Sequence, residues 1–423
     1  MARLNLFQAV MLRWRDLHPY CAAHVVDLAT PLDTGRLATT IAGVLEAAGL
    51  TGLALDRRRG RYVFAGGPAQ VALDVEPAGD DVDAAVAAAI ERRINVAFPS
   101  DGPLDPFLFF AVPTPAGFRL GISYDHVFAG GDSIAVLLSW IAARYQAPAG
   151  AAVAVPRLGV DPPGYGRLFA AQLRALIGGL PALSGLVRAA RRSVRPRVEH
   201  PEDGRNGFLR IPLAPGRNNA LRAAGRLWGV STVDLLLAAM LLAVAPLVPD
   251  RGSGRRRDLA VASIVNIRAD FQPPAQVVFG QFLSAFRVSH PVSAGASLRS
   301  VATDIAATTR EVKSRKLYLQ SLLLIALARP LLALMSPGRR ARFFFKHHPA
   351  FAGLTMLNVD ALWPATAPYL RAASTGPLTL MVLAATIARG ELSVGVTYRI
   401  AELPPDTARE IGGRFATLLD ALP

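Results

Sequence analysis

Cysteine and lysine are nearly absent from this chain of 423 residues. The single cysteine, Cys21, excludes an internal disulfide and a cysteine-based zinc site, and it is typical of a protein from a reducing compartment. We find no cluster of side chains with the spacing of metal ligands and expect neither a metal nor a permanently bound cofactor. Aromatic residues make up only 7% of the chain while 52% of it is hydrophobic, which indicates a folded globular protein.

Long hydrophobic runs are also missing. The N-terminus, Met-Ala-Arg-Leu-Asn-Leu-Phe-Gln, has no apolar core and no small-residue cleavage site, so we interpret it as mature sequence rather than a signal peptide. The apolar run at residues 235–248 falls short of the roughly twenty residues that span a bilayer, and it predicts a buried core helix. We therefore expect a cytoplasmic protein, with association with the inner face of the membrane left open.

Negative charge is in deficit. The chain has 46 lysines and arginines against 31 acidic residues, a net charge of +15, and all of the cations but Lys313, Lys316 and Lys346 are arginines. Such a charge favours anionic partners such as nucleotides, acidic carrier proteins or membrane surfaces. We find no recognition helix, zinc-finger spacing or aromatic-basic sheet motif, and we expect no nucleic-acid partner.

The length predicts two lobes of ordinary domain size. Residues 1–155 would form an N-terminal lobe and residues 206–423 a C-terminal lobe. Between them, residues 156–205 form a basic crossover with five arginines between positions 188 and 197. A basic linker is usually solvated, and contact with phosphate or an anionic membrane is the alternative.

The most informative stretch is residues 120–133. Alternating side chains lead to His126, a turn containing Gly130 and Gly131 follows, and an apolar helix begins at once. This order places an imidazole at the end of a buried strand, beside the start of a helix. A neutral imidazole there can accept a proton from a hydroxyl or an amine near neutral pH. The alternative is a histidine that merely satisfies its hydrogen bonds at a strand end.

This stretch resembles the His-x-x-x-Asp-Gly signature of the acyltransferase superfamily built like chloramphenicol acetyltransferase. That superfamily of CoA-dependent acyltransferases includes the condensation domains of peptide synthetases and the wax ester synthases. His126 falls on the family's catalytic histidine, Gly131 on its glycine, and Ser133 on a serine that is common two places later. Asp125 stands where condensation domains often carry a first histidine.

The signature departs from the family pattern at Gly130, which stands in the place of the family aspartate. We expect glycine there to permit a positive φ, so that Gly130 and Gly131 present backbone N–H groups beside the helix start, where anions are favoured. The loss of the aspartate is also what an inactive relative would show.

A second landmark of the superfamily is an arginine that ends a strand and pairs with the signature aspartate. The stretch 265–270, followed by Phe279-Gly-Gln-Phe282, resembles it and gives this supporting role to Arg268. Asp132 is the nearest carboxylate in sequence to the place that Gly130 has left. We expect Asp132 either to pair with Arg268 or to cap the helix that begins nearby.

The resemblance continues to the C-terminus. Residues 354–359 are similar to the family's Ser-Asn-x-Gly strand, where Asn358 would donate to a substrate carbonyl or serve only the structure; Ser133 is a second predicted substrate-binding residue. Two strands and a final helix close the chain as in the family. The implied fold is α/β, with two chloramphenicol acetyltransferase-like lobes, each a mixed sheet covered by helices, and a channel between them.

The activity that the resemblance implies is transfer of an acyl group from a CoA or carrier-protein thioester to a hydroxyl or amine, with His126 as general base. The apolar helices at residues 235–248 and 322–335 favour a hydrophobic, lipid-like acyl chain. The alternative is an inactive module that binds acyl thioesters or an acyl carrier protein.

Two neighbouring stretches suggest contact with lipid. Residues 322–335 are apolar but interrupted by Arg329-Pro330, which should kink a helix. Residues 337–348 mix aromatic and cationic side chains, as segments at a membrane interface do. The alternative is a helix that packs on the second lobe and leaves a basic end in solvent.

Overall fold

The computed structural model describes residues 1–77, 79–148, 151, 153–248, 255–271, 278–363 and 368–423. Most of these residues lie in helices and strands. The helices are α1 (Leu6–Arg15), α2 (Thr34–Ala48), α3 (Val82–Ile94), α4 (Gly131–Gln146), α5 (Tyr165–Ala171), α6 (Leu173–Gly179), α7 (Ala182–Arg192), α8 (Arg217–Trp228), α9 (Thr232–Val244), α10 (Leu298–Ser314), α11 (Leu319–Leu334), α12 (Pro337–His347) and α13 (Pro405–Asp420).

The strands form two large sheets and one small sheet. The strands are β1 (Ala2–Arg3), β2 (Cys21–Leu28), β3 (Leu53–Asp56), β4 (Arg61–Phe64), β5 (Leu73–Val75), β6 (Gly102–Pro103), β7 (Phe107–Thr114), β8 (Gly117–Asp125), β9 (Asn206–Ile211), β10 (Leu259–Asn266), β11 (Leu283–His290), β12 (Ala352–Asn358), β13 (Tyr369–Ala373), β14 (Met381–Ala388) and β15 (Glu391–Arg399). One large sheet has the order β13-β2-β8-β7-β5, the other β11-β10-β12-β14-β15-β9, and the small sheet β1-β4-β3-β6. Both large sheets mix parallel and antiparallel pairs and carry helices, which confirms the expected two-lobed α/β fold.

One strand from the second half of the chain joins the sheet of the first lobe. The C-terminal half of the chain supplies β13, yet β13 pairs antiparallel with β2 of the first lobe, with Tyr369 opposite Val26 and Ala373 opposite Ala22. The next strand, β14, lies in the middle of the second sheet. Hydrogen bonds between β13 and β2 therefore join the two lobes. The boundaries at residues 155 and 205 remain predictions, and they do not take this crossing strand into account.

The strand that leads to His126 is buried within its sheet. Six consecutive residues at the end of β8 are buried, and Gly121 lies opposite Phe110 of β7. The Phe110 ring crosses Gly121 so closely that a Cβ there would fall 2.1 Å from ring carbon Cζ. Only glycine admits that ring, so the pair fixes how β7 and β8 pack.

The predicted core helix is confirmed as α9. Its N-terminus has the capping box that the sequence indicates, because Ser231 accepts from the Asp234 N–H and Asp234 accepts from the Ser231 N–H. Ten of its thirteen residues are buried, and it packs against α10, α13 and β10.

The helix α11 runs from Leu319 to Leu334 and contains Pro330, the residue at which a kink is predicted. In the part of the chain that the structure describes, no single helix has both the length and the hydropathy to cross a membrane. Two strongly bent helix pairs, α6 with α7 and α8 with α9 extended to Leu247, reach those values only when taken together.

Candidate active site

His126 follows the last residue of β8 and opens a short turn before α4. Its backbone N–H donates to the Tyr20 carbonyl over 3.2 Å, and the Tyr20 ring stacks on the imidazole with a centroid separation of 5.6 Å. Ring atom Nδ1 lies 2.9 Å from the Ala129 carbonyl oxygen. A carbonyl oxygen can only accept, so Nδ1 carries the proton and Nε2 keeps a free lone pair.

The second lobe holds the turn that carries His126. Gly130 donates its N–H to the Gly280 carbonyl over 3.0 Å, and the Gln281 side chain donates to the His126 carbonyl over 3.1 Å. Asn5 in turn donates to the Gln281 carbonyl over 3.1 Å. The Gly-Gln pair singled out in the sequence therefore holds the histidine turn through the Gly280 carbonyl and the Gln281 side chain.

His126 lines a cavity of about 450 Å³ between the two large sheets. Side chains of both sheets and of α1, α11 and α12 form its walls, and most of them are apolar. His126 is 9% exposed, so the ring is enclosed but not sealed from the cavity. The volume falls within the roughly 300–1,000 Å³ that small-molecule sites occupy.

The surroundings of His126 keep its ring neutral. Burial lowers its pKa from 6.5 to about 4, the hydrogen bond to Ala129 acts in the opposite direction, and the charge of Arg371 lowers the pKa further. The neutral form, with its lone pair on Nε2, therefore dominates at pH 7.

Asp125 supports the turn from beneath. Its buried carboxylate forms an ion pair with Arg15 of α1, and Oδ1 accepts the Val127 N–H over 3.1 Å. Burial raises the pKa of Asp125 to about 6, against the lowering effect of Arg15. Asp125 is not among the residues that line the cavity, so its geometry is that of a loop anchor.

Asp132 pairs with Arg268 and is not the cap of the helix, because Gly130 is the N-cap of α4 and no side chain makes the cap hydrogen bond. Its Oδ2 accepts from Nε of Arg268 and from the Asn266 side chain over 2.9 Å. Its Oδ1 accepts from the Ser133 N–H over 2.9 Å. Arg268 is only 8% exposed, and Asp132 provides it with a carboxylate. The carboxylate that the family carries at the position of Gly130 thus comes from two residues further along.

The structure does not bring Ser133 to the cavity, contrary to the expectation that it binds substrate. Its Oγ accepts from Nη2 of Arg268 over 2.6 Å and donates to the Gly280 carbonyl over 3.1 Å. The reason is that Ser133 lies in the first turn of α4 on the side facing Arg268. Ser133 belongs to the network that holds the turn.

The expectations for Gly130 also need correction. Its φ is −93°, an extended conformation open to any residue, so no positive φ requires glycine. Its N–H donates to the Gly280 carbonyl and is therefore not available to an anion. Instead, a Cβ at this position would lie 2.9 Å from Oδ1 of Asp132. Glycine leaves the space that the Asp132 carboxylate uses.

Arg371 of β13 is a polar residue of the cavity that the sequence did not reveal. It is 5% exposed, its Nε donates to Thr386 over 2.7 Å, and its Nη2 donates to the carbonyls of Thr355 and Ala385. It has no carboxylate partner within 4 Å among the described residues. Its Nη1 lies 3.2 Å from where a Cβ on Gly131 would be, so glycine keeps this approach open.

His24 of β2 was missed as well. The ring lines the same cavity, with Nδ1 2.7 Å from the Tyr369 hydroxyl and Nε2 3.3 Å from the Tyr124 hydroxyl. Burial, then the charges of Arg371 and His126, hold its pKa well below the ordinary value. His24 and Arg371 sit on strands that pair with each other, in opposite positions. Only knowledge that β13 crosses to the first lobe could have joined them.

Asn358 lies away from this cluster, contrary to the substrate contact considered for it. The residue is exposed at the end of β12, and its side-chain oxygen accepts the Asp360 N–H over 2.9 Å. The three residues before it, Thr355 to Leu357, do line the cavity. The strand therefore passes the site and Asn358 lies beyond it, where it forms a local turn.

Metal-ligating side chains do not gather anywhere in the described ranges, where no group of three or more His, Cys, Asp or Glu is placed to hold an ion.

No protein-family model and no curated protein sequence matches the chain, whereas solved structures do. The first condensation domain of the CDA synthetase aligns with a TM-score of 0.69 at 14% identity, over 100% of this chain and 96% of that one. The epimerization domain from the third module of tyrocidine synthetase B aligns with a TM-score of 0.63 at 13% identity, over 96% and 91%. The X-domain in its complex with OxyB from teicoplanin biosynthesis gives 0.58 at 19% identity, over 99% and 92%.

The chain has the fold of the condensation domains, which confirms the expected structural resemblance. The three similar structures are those of different kinds of domain: a condensation domain, an epimerization domain and an X-domain. A shared fold at such low identity does not fix the reaction, and function has to be argued from the site.

Proposed function

We propose that the protein is an acyltransferase that moves an acyl group from a CoA or carrier-protein thioester to a hydroxyl or amine. The observation that carries this proposal is the state of His126, whose ring faces a 450 Å³ cavity with Nδ1 committed to Ala129 and Nε2 free. Burial keeps that ring neutral and so able to accept a proton.

The proposed step balances without a further reactant. Nε2 of His126 takes the proton of the acceptor O–H or N–H while the acceptor atom attacks the thioester carbonyl carbon. The resulting tetrahedral intermediate collapses, the carbon–sulfur bond breaks, and the imidazolium returns its proton to the departing thiolate. A base held in position in this way typically contributes ~10²- to 10⁴-fold in rate.

The cavity walls support a hydrophobic acyl chain. On one side of the cavity, α11 contributes a row of aliphatic side chains: Leu324, Ile325, Ala328 and Leu332. Ile264, Leu283 and Val382 of the second sheet also line the cavity. An apolar wall of this kind favours an alkyl chain over a polar one, because the chain leaves water while the walls have few polar groups to satisfy.

Arg371 gives the same cavity one fixed cation. Three hydrogen bonds hold its guanidinium in place, and Nη1 makes no hydrogen bond to the described residues. A positioned donor of this kind can bind an oxygen of the bound substrate, and burial strengthens the bond. We assign Arg371 to substrate binding rather than to proton transfer.

The alternative is a module that binds an acyl thioester or carrier protein without turnover. The likeness to the X-domain, whose solved structure is a complex with OxyB, favours it. The argument for inactivity from Gly130 is weakened, because Asp132 supplies the missing carboxylate to Arg268.

A donor and acceptor panel separates the two functions. The protein would be incubated with octanoyl and palmitoyl thioesters, each on CoA and on an acyl carrier protein, and with long-chain alcohols, amines and amino acids, with products detected by mass spectrometry. We expect a product with the native protein and with the control His200→Ala, whose ring is exposed. We expect a loss of at least a hundredfold with His126→Ala. Thioester binding without any product would support the binding module, and an active His126→Ala would overturn the acyltransferase assignment.

A further inference from the structure

The excess of positive over negative charge in the chain comes from two segments. Residues 162–198 contain seven arginines, and residues 312–359 contain eight lysines and arginines, without any aspartate or glutamate in either. Together the segments hold 15 of the 46 cationic residues, so the rest of the chain carries 31 cations and 31 acids and is neutral. The entire net charge of +15 therefore belongs to these two acid-free segments.

The two segments are neighbours in the folded protein. The Gln320 side chain donates to the Leu176 carbonyl over 2.9 Å, and Arg315 donates to the Gly178 carbonyl over 2.8 Å, which joins α11 and the residues before it to α6. At the other end, the pKa of His347 in α12 is lowered by burial, then by Lys346 and by Arg195, which follows α7. The two segments therefore approach each other at two places, near α6 and near the end of α12.

The same two segments hold most of the exposed large apolar side chains of the described residues. Four lie on α11, where Leu327 is 68% and Leu334 is 87% exposed. The other four lie on α6, on α7 and at Leu180, which follows α6. The eight are Leu173, Ile177, Leu180, Val187, Leu324, Leu327, Leu331 and Leu334. None of the residues of α7 is buried. A soluble protein rarely leaves so many aliphatic side chains together in water without a partner.

Several of the cationic side chains there form no ion pair, with no carboxylate oxygen within 4.0 Å among the described residues. Among the described side chains, Arg188 and Arg191 of α7 and Arg339, Arg342 and Lys346 of α12 lie in none of the ion pairs, although Arg192 and Arg340 do. These five side chains are exposed. They are free to meet an external anionic surface.

We propose that helices α6, α7, α11 and α12 form a platform that docks on an anionic lipid bilayer. Exposed leucines beside unpaired arginines match the two zones of an interface, acyl chains and anionic head groups. The absence of acidic residues from both segments removes repulsion from such a surface. Nucleic acid would use the charge but leave the leucines exposed, so the aliphatic side chains favour a bilayer.

The platform also reaches the cavity. The inner side of α11 lines it through Ile325, Ala328 and Leu332, whereas Leu327, Leu331 and Leu334 are exposed. One helix therefore separates the docking surface from the space beside His126. Docking itself does not depend on acyl transfer, so it can be tested independently of the proposed reaction.

Vesicle flotation tests the proposal with the chain of 423 residues. Vesicles of phosphatidylcholine alone would be compared with vesicles that contain 30 mol% phosphatidylglycerol, which makes the surface clearly anionic. Both would be measured in 0.1 M salt, close to physiological ionic strength. We expect binding to the anionic vesicles and little to the neutral ones. Each cation near the surface contributes about fivefold in partitioning, so the triple variant Arg339→Gln/Arg342→Gln/Lys346→Gln should bind on the order of a hundredfold more weakly.

A second variant tests the apolar part of the platform. Leu327→Gln/Leu331→Gln/Leu334→Gln changes exposed side chains, so it should fold normally and still lose binding to anionic vesicles. The matched control is Arg222→Gln/Arg226→Gln/Leu227→Gln on α8, which alters exposed residues of the same types outside the platform. Equal loss in the control, binding that neither platform variant weakens, or binding to an acidic carrier protein with none to vesicles would overturn the proposal.

Discussion

The contact between Asp132 and Arg268 explains how the site retains its geometry without the family aspartate, and it can be tested by moving the carboxylate. The first perturbation is Asp132→Ala. It removes the acceptor for Arg268, for the Asn266 side chain and for the Ser133 N–H. The loss of one partner of a fully buried ion pair costs about 3–5 kcal/mol.

The expected loss of stability for Asp132→Ala lies below that range. The Asp132 side chain is 24% exposed, and Arg268 keeps neutral oxygen partners in Val278, Gly280 and Ser133. We therefore expect Asp132→Ala to lower the free energy of unfolding by about 2–3 kcal/mol.

The second perturbation restores the family arrangement. Gly130→Asp alone should cost about 1–3 kcal/mol, since its Cβ would lie 2.9 Å from the Asp132 carboxylate and 3.3 Å from the Gly280 carbonyl. The double variant Gly130→Asp/Asp132→Gly removes the first of these contacts and returns a carboxylate to Arg268. We expect it to be more stable than the sum of its single variants by at least about 1 kcal/mol.

Urea unfolding of the native chain, Gly130→Asp, Asp132→Gly and the double variant completes the cycle. Coupling between residues in contact is typically ~0.5–3 kcal/mol, whereas independent sites add within about 0.5 kcal/mol. Additive losses would show that Asp132 does not occupy the place of the family aspartate, and would refute the argument.

Three further predictions concern the cavity. Asn358→Ala should leave acyl transfer and stability unchanged in activity and urea assays, because the residue lies beyond the cavity; a tenfold loss of activity would contradict its placement. Arg371→Met should weaken substrate binding by about 10- to 100-fold, the value of a charged hydrogen bond. The control Thr386→Val removes only the hydrogen bond to Nε of Arg371. Equal losses of affinity in the two variants would show that Nη1 does not bind substrate. The pKa of His126 falls from 6.5 to about 4 on folding, so the stability that its neutral ring contributes is complete above pH 6.5 and is lost as pH falls toward 4. His126→Gln should therefore reduce the decline in unfolding free energy between pH 7 and 5 by about 1–2 kcal/mol. An unchanged dependence of unfolding free energy on pH would mean that the ring is not held neutral.

Much of the fold could be predicted because it depends on local patterns. The alternation before His126 and the apolar run at residues 235–248 each predicted an element that the structure contains. A resemblance that covers most of the chain supplied the order of strands and helices, and solved condensation domains share that fold.

The rest of the candidate site depends on contacts between distant segments. His24 and Arg371 are far apart in sequence and meet only because β13 leaves the second lobe to pair with β2. Gly130 suggested a turn with positive φ, while the actual reason for glycine is the neighbouring Asp132 carboxylate. Ser133 and Asn358 matched family positions, yet α4 turns one toward Arg268 and β12 carries the other past the cavity.

The central claim is that Nε2 of His126 accepts the proton of an acyl acceptor inside the cavity. The most direct measurement is the single-turnover rate of acyl transfer by the native protein and by His126→Asn, with thioester affinity determined in parallel. Our account predicts a rate at least about a hundredfold lower in the variant with nearly unchanged affinity. Equal rates in the two proteins would contradict it.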